Sequence, residues 1–126
     1  MDSEPLDADL LIHLCGAREW DDAQRVGEVR PESLAVMGFV HLSAPWQVHL
    51  PANRLFAGRA DLNALYVAPA ALRAPLRWEA GVPGDPDAML FPHLYGPLPV
   101  SAVVALRPYR PGSDGRFPAL IHRPSQ

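Results

Sequence analysis

The chain has no lysine. All eleven of its basic residues are arginine, set against fourteen acidic ones, for a formal net charge of −3. Neither sign forms a run. That excludes the continuous basic face with which a duplex-binding module neutralises phosphates, and it leaves room for an enzyme that grips a few phosphates with local arginines. Arginine in place of lysine, beside abundant alanine and proline, matches a GC-rich coding bias and carries little functional weight. Cysteine is nearly as scarce. Cys15 stands alone and cannot form an internal disulfide, so a reducing cytoplasm is the expected compartment. A lone Cys beside a strand reads as a small buried hydrophobe.

Other things are missing too. No stretch approaches the ~20 apolar residues of a membrane span. The opening Met1-Asp2-Ser3-Glu4-Pro5 lacks the basic-then-apolar order of a signal peptide. There is no Gly-x-Ser-x-Gly elbow for a serine hydrolase and no glycine-rich phosphate loop. No two histidines stand at the short ligand spacings of a metal site, so no metal is expected.

What is present is an ordinary globular core. A hydrophobic share of 48% in 126 residues suits one domain that buries roughly two thirds of its unfolded surface. Fifteen prolines favour short elements over long helices. Residues 9–14 read as a strand buried on both faces, Ala17 to Glu28 as an amphipathic helix with Trp20 and Ala23 inward, and Pro31–Leu34 as a helical turn ended by Gly38. Phe39–Leu42 is a second buried strand. Ser43 is placed to cap a helix beginning at Ala44-Pro45, and Pro51 to divide two short helices near 44–50 and 51–57. Strands are expected at Leu62–Val67, Leu76–Ala80, Met89–Leu94 and Ala102–Arg107, with a helical turn at Pro69–Leu72 and a loop over 81–87. Residues 1–110 form the domain, and 111–126 read as a loosely packed tail in which Phe117-Pro118-Ala119-Leu120-Ile121-His122 is the stretch able to dock on the body. The fold class is α+β, with mostly antiparallel sheets and short helices inserted early.

Three histidines interrupt apolar strands: His13 in Leu11-Ile12-His13-Leu14, His41 in Gly38-Phe39-Val40-His41-Leu42-Ser43, and His93 in Phe91-Pro92-His93-Leu94-Tyr95-Gly96-Pro97. A titratable side chain in a buried run must find a partner or serve a purpose. Tyr95, two residues after His93, points to the same side of an extended strand. Gly96 lets another group approach the backbone. Glu79 ends a strand as either a chemical group or half of an ion pair with Arg77 or Arg73. Arg54 is the natural anion clamp, and Ser43 at a helix start would add a hydroxyl. The plain alternative for each is structural: histidines bonded to carbonyls, Ser43 capping, Arg54 in solvent. His49 and His122 read as surface residues.

These pieces, with Trp20, Arg30-Pro31-Glu32-Ser33-Leu34, Gln47-Val48, Ala52-Asn53-Arg54-Leu55-Phe56 and Leu76-Arg77-Trp78-Glu79, occur in the order that resembles the small bacterial proteins of Domain of Unknown Function 952. The resemblance runs from about residue 9 to 108. It implies an ADP-ribosyltransferase-like fold of two packed, mostly antiparallel sheets around a central cleft for a nicotinamide dinucleotide, with NAD as cofactor. In that frame His13 would hold the nicotinamide ribose or amide, His41 and Ser43 would contact the ribose or pyrophosphate, and a late Glu would stabilise an oxocarbenium-like centre. The late motif here carries His93 and Tyr95, so Glu79 is the nearest carboxylate. The histidines with Arg54 lean toward the RNA 2′-phosphotransferase branch of the same fold. The implied site is therefore catalytic His41, His93 and Glu79, with His13, Ser43, Arg54 and Tyr95 holding cofactor. Three readings follow: an NAD-using transferase, a non-catalytic nucleotide- or anion-binding module, and a structural protein whose surface serves a protein partner. All three exclude duplex nucleic acid and membrane as partners.

Overall fold

The computed structural model describes residues 9–81, 86 and 89–121. Most of the expected 81–87 loop, and His122, lie outside the described residues. The chain runs β1 (Leu11–Gly16), α1 (Ala17–Val26), β2 (Glu28–Val29), α2 (Glu32–Met37), β3 (Val40–His41), α3 (His49–Leu55), β4 (Leu62–Val67), a 3-10 turn at Pro69–Ala71, β5 (Leu76–Ala80), β6 (Leu90–Leu94), β7 (Leu98–Pro99), a second 3-10 turn at Val100–Ala102, and β8 (Val103–Pro108). The class is α+β, as expected. The strands make three sheets where two were expected: β1-β4-β8, β3-β6-β5 and the small β2-β7 ribbon. All ladders are antiparallel. The third sheet escaped the sequence because strands of two residues show no hydrophobic period, and Pro99 within β7 reads as a breaker.

β1 is buried on both faces, which is why its sequence does not alternate. Leu11 and Cys15 enter one core with Leu65, Val67, Val40, Leu94 and Leu98. Ile12 enters a second core with Ala64, Tyr66, Val48, Ala52 and Phe117. α1 starts where Glu19 Oε1 accepts the Gly16 N–H at 2.8 Å, and its buried face reduces to Ala23 with Trp20 beside the core. It stops at Gly27, whose φ of 101° is costly for any residue with a Cβ. Gly38 ends α2 in the same way.

The stretch after β3 corrects the expected helices. Residues 44–48 form turns, and the helix begins only at His49. Ser43 caps nothing: its N–H and C=O both pair with Ile12, at 2.9 and 2.7 Å. The buried Gln47 takes over the local satisfaction, accepting the Ala44 N–H at 2.9 Å and donating to Leu90 O at 3.2 Å. Pro51 sits in the first turn of α3, where its missing N–H costs nothing, so it divides no helix. The Ile12–Ser43 bridge ties sheet β1-β4-β8 to sheet β3-β6-β5 and sets His13 beside His41.

The tail is better packed than its composition suggested. Phe117 is 2% exposed, lies with its ring 5.0 Å from that of Tyr109 at a tilt of 37°, and has both its N–H and its C=O bonded to the Asn53 side chain. No helix among the described residues is long and apolar enough to cross a membrane.

Candidate functional site

In β3 and β6, His41 stands directly opposite His93. Their ring centroids are 5.5 Å apart at 86°. Phe39, two residues before His41 and so on the same side of the chain, lies flat on His93 at 4.0 Å and 13° and edge-on to His41 at 4.9 Å. The sequence marked Phe39 only as core. Its spacing from His41 was the available signal, but its position over His93 depends on a cross-strand register that no local pattern reveals.

His13, on β1, is 6% exposed and donates from Nδ1 to the His41 carbonyl at 3.0 Å. A carbonyl can only accept, so Nδ1 carries the hydrogen and Nε2 the lone pair. Burial lowers the His13 pKa from 6.5; the bond to His41 and the nearby Glu19 charge oppose that shift only in part. His13 is therefore a neutral acceptor near pH 7.

His93, 5% exposed, is held from behind. Its Nδ1 donates to Glu79 Oε1 at 2.8 Å, and the Tyr95 hydroxyl donates to the same oxygen at 2.6 Å. The Tyr95 bond first, then the His93 bond, hold the Glu79 carboxyl below its usual range. Glu79 in turn raises the Tyr95 phenol. Arg77 lies over the Tyr95 ring, 5.1 Å from its centroid. A carboxylate on Nδ1 fixes the imidazole tautomer and leaves Nε2 as the nitrogen able to meet a ligand.

A cavity of about 330 Å³ brings the candidates together. His13, His41, Ser43, Arg54 and His93 all line it, on walls that include Leu14, Met37, Leu55 and Phe56. Glu79 and Tyr95 are not on the lining; Glu79 reaches the cavity through His93 alone. Arg59 and Glu19 also line it and were not singled out from sequence. Arg59 makes a two-pronged pair with Asp61, at 2.8 and 2.6 Å. The close approach expected at Gly96 is made by the chain itself: a Cβ there would lie 2.5 Å from the Ala74 Cβ. Among the described residues, no three His, Cys, Asp or Glu side chains come together as a metal site.

Two small antiparallel sheets bridged at Ile12–Ser43, with a histidine-lined cavity beside the bridge, define a compact α+β domain. The profile of the family "Protein of unknown function (DUF952)" matches residues 14–106, and the chain belongs to that family. The crystal structure of protein CC0527 from Caulobacter crescentus is 35% identical and superposes with a TM-score of 0.74, over 86% of this chain and 92% of that one. The solution structure of the same protein gives a TM-score of 0.71 at 35% identity, over 89% and 93%. No curated protein matches the chain.

Proposed function

We propose that the cavity binds a small nucleotide-type anion, with His13, His41, Ser43, Arg54 and His93 as its polar contacts. One observation carries the reading: these five residues come from four separated segments, β1, the β3 region, α3 and β6, and line one space. Convergent polar groups in a mostly apolar pocket are the usual form of a small-molecule site. At about 330 Å³ the cavity is at the small end of such sites and suits a mononucleotide-sized group, such as one half of NAD, better than a whole dinucleotide.

The finer form of the proposal is an ADP-ribosyltransferase-like fold whose cleft includes this cavity, which takes one half of an NAD bound for transfer chemistry in the cytoplasm. The residues adjust the roles within it. Glu79 is screened from the cavity by His93, so it does not stabilise an oxocarbenium centre directly. His93, oriented by Glu79, is the group placed to exchange a proton with a ligand. That same screening favours the second reading, a non-catalytic nucleotide- or anion-binding module.

Calorimetric titration with NAD and with ADP-ribose, on wild type and His41→Ala, tests the proposal. Saturable binding that the substitution weakens supports it. Absence of binding by both ligands at millimolar concentration overturns the nucleotide reading.

A further inference from the structure

We infer that the segment from Gly115 to Ile121 is a strap that fixes the α3 side of the cavity, and that Asn53 is the residue that positions that wall. The strap lies beyond the family span, which ends at residue 106.

The chain builds the strap deliberately. After β8 a tight turn closes with Gly112 N to Arg116 O at 2.8 Å, Gly115 N to Gly112 O at 2.9 Å and Arg116 N to Asp114 Oδ1 at 2.9 Å. Gly115 takes the φ of 81° that the reversal requires. The turn delivers Phe117 into the core formed by Val48, Ala52, Tyr66 and Tyr109. There the Asn53 amide reads the Phe117 peptide from both ends: Phe117 N donates to Oδ1 at 2.7 Å, and Nδ2 donates to Phe117 O at 3.1 Å. This two-point bond satisfies a buried backbone much as a neighbouring strand would. Further along, Leu120 N donates to Pro45 O at 3.1 Å, and the Tyr109 hydroxyl donates to Pro118 O.

The strap therefore grips two segments, helix α3, which lines the cavity, and the turns at 44–48, which join the cavity residue Ser43 to that helix. Pro51, Arg54 and Leu55 of α3, with Phe56 at its end, face the cavity while Asn53 faces the strap. A helix of seven residues has little stability of its own. Its position depends on what holds its far side, and here that is Phe117 and the Asn53 clamp. The strap is thereby a determinant of where Arg54 sits. This deepens the proposed ligand site, but the fixing of the wall does not depend on which ligand binds.

Hydrogen exchange on the full-length protein, for wild type, Asn53→Ala and Asn53→Asp, tests the inference. Asp keeps the acceptor and sets a second oxygen against the Phe117 carbonyl. In both variants the Ala52 and Phe56 amides, which bond to Val48 O and Ala52 O, should exchange about tenfold faster or more, as expected for loss of a buried hydrogen bond pair. Amides of the β5-β6 ladder should keep wild-type rates. Unchanged exchange in α3 overturns the inference, and so does a protection loss spread evenly over the chain, since that would mark Asn53 as a general stabiliser. If ADP-ribose binds the wild type, its affinity should fall in Asn53→Ala. If it does not bind, the nucleotide reading fails while the exchange pattern still decides the role of the strap.

Discussion

His93 and Glu79 share a hydrogen bond of 2.8 Å from Nδ1 to Oε1, made diagonally across the β5-β6 ladder. It joins the cavity to a charge that the cavity wall hides. His93 is almost fully buried, whereas the Glu79 side chain is 36% exposed, so the carboxylate keeps its hydration while directing the ring. The pairing resembles neither an ordinary surface ion pair, which is worth little, nor a wholly buried one, which is costly to form. Its effect is orientation: with Nδ1 committed to Glu79, the ring is fixed in one tautomer and pose.

Because Glu79 also takes the Tyr95 hydroxyl, removing it should be visible at the tyrosine. The phenol is raised chiefly by donating to the carboxylate, so in Glu79→Ala its midpoint should fall back toward 10. Phenolate absorbance against pH measures this, with Tyr95→Phe assigning the signal. Tyr109 is raised by burial and should not move. A Tyr95 midpoint identical in wild type and variant would mean the bond does not form in solution.

His13 predicts an acid-side weakness. Its folded pKa is lowered from 6.5 by burial, so between the folded value and 6.5 the unfolded chain binds the extra proton. Stability then rises with pH across that window and is lost as pH falls below about 6.5. His49, also lowered by burial and by the Arg116 charge, acts in the same direction. Urea unfolding from pH 7.5 down to 5 should show the decline, and His13→Gln should flatten it in part. Equal slopes in the two proteins would remove His13 as a cause.

Gly96 carries a steric prediction. Its missing Cβ leaves room for the Ala74 Cβ, which an alanine would approach to 2.5 Å. Two packed Cβ atoms cannot yield as a flexible side-chain end would, so the backbone must shift. Gly96→Ala should cost about 1–3 kcal/mol by denaturant unfolding. It should also loosen the neighbouring Tyr95 N to Pro75 O bond of 2.8 Å. Gly112→Ala meets the Asp114 carboxylate at 3.4 Å and the Arg116 carbonyl at 3.6 Å, and should stay within about 0.5 kcal/mol of wild type.

The sequence revealed the long strands and the types of the site residues, and it failed where tertiary pairing decides. β4 and β5 were legible to the residue, each an apolar or half-exposed run between turn signals. The helix at 44–50 was misread because Ser43-Ala44-Pro45 is a good local start. The competing Ile12–Ser43 bridge is made by residues far apart in sequence and leaves Ser43 no backbone freedom. The histidines were visible as polar intrusions in apolar runs. That Glu79 would sit behind His93 was not, because alternation gives the face of Glu79 but not its partner across the β5-β6 ladder. The stretch 117–122 marks a tail able to dock, but does not show that Phe117 is the residue that enters the core. The Asn53 clamp was hidden, because an Asn on a short helix looks like any solvent-facing amide.

Cys15 gives the last prediction. It is 2% exposed, in the core with Leu11, Ala23 and Leu65. Burial first, and the Glu19 charge second, push its thiol up to about 12, while Arg59 pulls weakly the other way. The thiolate is the nucleophile, so at pH 8 the native protein should react with an aromatic disulfide reagent only as fast as the core opens. The rate should then track global stability, rising in urea and rising in Gly96→Ala by the factor by which that variant is destabilised. Unfolded protein should react at once and to one thiol per chain. Rapid reaction in native buffer would show that β1 opens locally. The Ile12–Ser43 bridge would then be a hinge between the two sheets rather than a fixed joint, and the position of His13 beside His41 would be only one of the states the cavity visits.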